Sequence, residues 1–163
     1  MKFATPLAAV ALSLFATTAS AQAVRTEKNM SLDLANQIAA ATVASCSASG
    51  YNVTAAVVDR AGTLRALLRA DNAGPHTVGA AQGKAYTSAS ARNTTAAMLE
   101  TVQKNPGAAT LVDIPGFLVL GGGVPVKVGN EVIGAVGVGG APGGHLDEAC
   151  ATAGIAKVAE LLK

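Results

Sequence analysis

No segment limits the possible folds of this chain more than residues 117–154, FLVLGGGVPVKVGNEVIGAVGVGGAPGGHLDEACATAG. It reads as strand, glycine kink, strand, two-residue turn, strand, glycine loop and helix. Residues 124–128 and 131–138 flank Gly129-Asn130, a pair suited to the positive φ angles of a tight hairpin. Val132, Ile133, Val136 and Val138 make the strand after the turn apolar, while Gly134, Gly137, Gly139 and Gly140 leave it nearly bare. Glycine weakens a strand, so this density implies that something approaches the backbone closely. A neighbouring helix, another subunit and a flat ligand each meet that condition.

The rest of the chain supplies helices and one more hairpin. Ser31 is a good N-cap with Asp33 in the first turn, and Leu34, Ile38, Thr42 and Cys46 recur at helical spacing beside Ala35 and Ala39. Gly50 ends that helix. Residues 52–59 and 64–70 form a hairpin across Arg60-Ala61-Gly62. Helices over 77–92 and from Thr94 or Thr95 to Lys104 follow, then a break at Asn105-Pro106-Gly107, an irregular stretch over 108–116, the glycine strands, and a closing helix over 146–162. The order is α-β-β-α-α-β-β-β-α. Hairpins in place of repeated βαβ units predict an α+β domain, a five-stranded antiparallel sheet with helices packed on its faces.

Residues 1–23 read as an address. Lys2 is followed by an apolar run to Ala16, then small residues ending Ala21-Gln22-Ala23, the pattern of a secretory signal with cleavage after Ala23, or after Ala21. The run is too short and alanine-rich for a membrane span. Residues 24–163, about 140, then form a single domain that is periplasmic or secreted, with no membrane span after cleavage. Losing Lys2 leaves 11 basic against 10 acidic residues, too balanced for a nucleic-acid footprint. Arg60, Arg65 and Arg69 are the one local basic cluster, either a solvated face or ligand-side anchors, and no aromatic residues interleave with them. Cys46 and Cys150 lie in the first and last helices of the exported chain; they read as a disulfide joining those helices, or as two buried thiols.

Few residues carry chemistry. His76 and His145 each stand at a helix entrance beside glycine, and there an imidazole can ligate a metal or haem iron, act as acid or base, or simply be polar at a helix start. Lys84, Thr87 and Ser88 share a face of the second helix, which reads either as a stripe facing an acidic ligand or as a solvated face. Tyr86 is a further candidate iron ligand. The loop 137–144 lacks the lysine and Ser/Thr of a P-loop, and Pro142 stands where a dinucleotide fingerprint needs glycine. Asp147 and Glu148 read as residues favouring a helix dipole.

Three stretches, residues 83–95 (GKAYTSASARNTT), 120–155 and 57–71, resemble the GlcG/HbpS haem-binding family, itself similar to the C-terminal domain of PduO corrinoid adenosyltransferases. The resemblance covers the chain from about Met30 onward. It implies a profilin-like fold, haem b binding by some members, and a homo-oligomer, often an octamer. It also implies that Lys84, Tyr86 and Thr87 lie near a ligand pocket or subunit contact. The expectation is an exported protein that binds, stores or senses haem rather than a catalyst. The alternatives are an enzyme acting on a small carboxylate or hydroxy acid, with Lys84 as anion anchor, and a structural or sensory oligomer without cofactor.

Overall fold

A computed structural model describes residues 23–163; the expected signal segment, 1–23, lies outside the described residues except for Ala23. Four helices and four strands follow in chain order: α1 (Leu32–Ala48), β1 (Thr54–Asp59), β2 (Leu64–Arg69), α2 (His76–Ala91), α3 (Thr95–Lys104), β3 (Gly123–Val128), β4 (Glu131–Gly139) and α4 (Gly144–Lys157). Short 3-10 helices at Pro106–Asp113 and Ala159–Leu162 replace the expected irregular stretch and the last turn of the closing helix. The sheet is antiparallel throughout, in the order β2-β1-β4-β3.

The sheet therefore has four strands, not the expected five. Residues 117–120 have the apolar composition of a strand, but their backbone is spent elsewhere. Leu118 donates its N–H to Thr87 Oγ1 on α2 at 2.7 Å, and Leu120 donates to Leu118 O. Room for this crossing comes from Gly83, where a Cβ would stand 3.0 Å from Leu118 Cβ. The segment is draped over α2 rather than added to the sheet edge.

Each face of the sheet has its own cover. On one side Val53, Val57, Val126, Val136 and Val138 pack against Ile38 and Ala39 of α1 and Ala151 of α4. On the other, Ala56, Val58 and Ala135 meet Ala81, Ala85 and Ala89 of α2. The second layer is built almost wholly from alanine, so α2 lies unusually close. At Gly137 a Cβ would fall 2.1 Å from Ala81 O, and at its cross-strand partner Gly123 it would fall 2.4 Å from Lys84 O. The close neighbour implied by the bare strand is thus the protein's own helix α2. Gly129 makes the β3–β4 turn with φ 60°, as the Gly-Asn pair predicts.

Helices α1 and α4 are joined by the Cys46–Cys150 disulfide, Cα atoms 5.3 Å apart. One turn along each helix, Gly154 receives Thr42 so closely that a Cβ would stand 2.0 Å from Thr42 Oγ1.

Candidate functional site

The N-termini of α2 and α4 and the loop 139–144 border one cavity of about 270 Å³, whose lining includes His76, Ala80, Lys84, Leu120 and Asp147. Its floor is an ion pair. Lys84 points from α2 through the glycine-bared region and is only 2% exposed; Asp147, in the first turn of α4, is 3% exposed. Lys84 Nζ donates to Asp147 Oδ2 at 2.6 Å and to Val138 O at 2.8 Å. Asp147 Oδ1 accepts the N–H of Ala141 at 3.0 Å. One lysine and one aspartate thus tie together α2, β4, α4 and the glycine loop. Burial pushes the Asp147 carboxyl above its ordinary range, and Lys84 opposes that shift without cancelling it.

The predicted site residues do not converge. His76 opens α2, is exposed, and folds its ring back over Gly74 at the cavity mouth. His145 is likewise exposed near the start of α4, its ring against Gly143, but it does not line this cavity. Lys84 is at the floor, with its ammonium already paired. Thr87 is fully buried between Gly83 O and the Leu118 N–H, and Ser88 is buried with its hydroxyl on Asn93 O. The Lys84–Thr87–Ser88 stripe is therefore an internal surface of α2, not a solvated face. Tyr86, 37% exposed, sits apart in an apolar recess with Gly62, Leu64 and Gly116, its ring edge-on to Phe117.

Sequence reasoning missed Asp147 as a partner, because an acid in a first helical turn is already explained by the helix dipole. The available signal was Lys84 itself. It stands on α2 beside Ala81, Ala85 and Ser88, and only if that face packs against the sheet does its charge need a buried partner. Leu120, 45% exposed at the mouth, was read as part of a strand.

Among the described residues, no three of His, Cys, Asp and Glu are grouped so as to hold a metal ion. Arg60 has a different role from a ligand anchor. It bridges Glu27 at 3.2 Å and Glu131 at 2.5 Å, and holds the Glu131 carboxyl below its usual range.

A small α+β sandwich, with one helix laid on a bared sheet and locked by a buried lysine–aspartate pair, is the class these features define. The chain belongs to the HbpS-like family: the family model described as "Haem degrading protein HbpS-like" matches residues 30–156. It is 37% identical over 115 residues to protein GlcG of Escherichia coli K12, covering 71% of this chain and 84% of GlcG. A crystal structure of a double mutant of Streptomyces reticuli HbpS superposes with TM-score 0.79 at 35% identity, covering 96% of this chain and 99% of that one. The crystal structure of a PduOC:heme complex shares the fold, with TM-score 0.70 at 23% identity over 78% of this chain and 94% of that one.

Proposed function

We propose that this chain is an exported haem-binding protein that takes haem b at the mouth of the His76 cavity. The carrying observation is an exposed imidazole over a mouth lined by small residues, in a chain whose described residues offer no cluster for a bare metal ion. A lone imidazole would suffice for an iron that already has four nitrogen ligands from a porphyrin. The family description names haem as the molecule handled by proteins of this kind.

The residues fit haem on one condition. A cavity of about 270 Å³ lies just below the roughly 300–1,000 Å³ usual for enclosed ligands. His76 and Leu120 would hold the macrocycle at the mouth, and a second copy of the chain in a homo-oligomer would supply the cover that the cavity itself lacks. The carboxylate-enzyme alternative needs a free Lys84 ammonium, and that group is paired to Asp147.

Haem titration of the purified protein, followed by absorption, tests the reading. A saturable Soret shift is expected. His76→Ala should weaken it by about tenfold or more, the loss of one strong contact, and His145→Ala should change it little. A featureless titration, or equal binding by wild type and His76→Ala, would count against this site. Bleaching of the bound Soret band on adding a reductant and air would extend binding to the degradation named for the family.

A further inference from the structure

A second concave surface lies at the opposite end of α2, about 24 Å from His76 for a 16-residue helix. Its volume is about 630 Å³, and its walls are the β3–β4 turn and the side chains of Lys28, Arg60, Arg92 and Lys127, with Glu131 the one acid. The whole chain is nearly balanced, 12 Lys and Arg against 10 Asp and Glu. This groove holds four of the cations and one of the acids. Arg60 is neutralised by Glu27 and Glu131. Lys28, Arg92 and Lys127 are exposed, and among the described residues none of the three is in an ion pair. They come from three separate elements: the segment before α1, the end of α2, and β3.

Arg92 is held at a conformational cost. It caps α2 with φ 55° and ψ 30°, the left-handed region normally given to glycine, and it is the one non-glycine residue with positive φ among those described. A strained cationic residue on the rim of a basic groove is an outlier that calls for a function. A monocarboxylate would balance one of the three unpaired cations. A phosphate ester brings a charge of about −1.5 to −2 and three acceptor oxygens, and the guanidinium fork matches it. Among the described residues no aromatic ring lines the groove, so a nucleobase has none of them to stack on.

We propose that this groove binds a small phosphorylated organic molecule through a phosphate or pyrophosphate group held by Arg92, Lys127 and Lys28. The site is independent of the haem reading.

Isothermal titration of the full chain with inorganic pyrophosphate at low salt is the test. Saturable binding is expected, weakened by about tenfold in Lys127→Ala and in Arg92→Gly, as for the loss of one charged contact. Arg92→Gly also relieves the left-handed strain, so its melting temperature should hold or rise while its affinity falls, which separates lost binding from lost folding. Haem titration of the same variant should be unchanged. Absence of saturable binding, or wild-type affinity in both variants, overturns the proposal. Citrate bound as tightly as pyrophosphate would overturn the phosphate chemistry. Binding to anionic phospholipid vesicles that pyrophosphate fails to displace would overturn the small-molecule ligand.

Discussion

Lys84 is the residue on which the rest of the site depends. An ammonium with 2% exposure persists because Asp147 and Val138 O satisfy it. Removing one partner leaves a charge buried without compensation, so Asp147→Ala should cost about 3–5 kcal/mol in urea denaturation. The double variant Lys84→Met, Asp147→Leu removes both charges and should recover most of that loss. If the single and double variants are equally damaged, the pair is not the cause. The pH dependence has a definite sign. Burial raises the Asp147 carboxyl in the folded state above its ordinary 3.8, so the native protein binds this proton more readily than the unfolded chain. Its contribution to stability is full below 3.8 and is lost as pH rises through the raised value. Subtracting the stability–pH curve of Asp147→Asn from that of wild type should show this component falling as pH rises. At this scale neither role was legible in the sequence: the Lys84 face reads as ligand-facing or solvated, and Asp147 as a residue favouring the helix dipole. A buried lysine needs an acid, but that Lys84 is buried, and which of 10 acids answers it, depends on how α2 and α4 converge, and no local pattern carries that.

Helix α2 shows what element-level reading can and cannot reach. The glycines announced a close approach to the strand, and their spacing was correct, but helix, subunit and ligand all fit the same pattern. Cβ geometry decides for the helix. At Gly137 the obstruction is the backbone oxygen of Ala81 at 2.1 Å, which no rotamer change relieves. Gly137→Ala should therefore destabilise by about 1–3 kcal/mol or more, by forcing α2 off the sheet. Gly129→Ala meets no atom within 4 Å, and its penalty is only that of φ 60°, about 1 kcal/mol. Thermal melts of the two variants should rank in that order, and the reverse ranking would mean that α2 has slack at this crossing. The missing fifth strand has the same origin. Apolar side chains over 117–120 satisfy strand propensity, yet the Thr87 hydroxyl and the space at Gly83 capture that backbone. Propensity describes a residue; pairing depends on which partner is within reach.

Across the whole molecule the hydrophobic layers are thin, because Ala and Val supply most of the buried side chains. Apolar burial contributes roughly 25 cal/mol per Å², so small side chains stabilise less per residue than Leu or Phe would. A covalent link then carries a larger share of the total. Cys46 and Cys150 are 104 residues apart, 0% and 5% exposed, and join the helix pair that covers one face of the sheet. The pairing was one of two readings open in the sequence, favoured by cysteines in the first and last helices and by the expectation that the chain is exported. The crossing of Thr42 on Gly154, which sets the helices close enough, was not. Closing a loop of this length restricts the unfolded chain, and the chain-entropy account gives about 4–5 kcal/mol. The double variant Cys46→Ala, Cys150→Ala should lose about that much, as a lower urea midpoint, and wild type fully reduced in urea should refold with a stability close to the variant's. If the variant instead keeps the oxidised midpoint, then the α1–α4 packing alone holds that face. The thin core would in that case be stabilised by burial between subunits, and stability would rise with protein concentration.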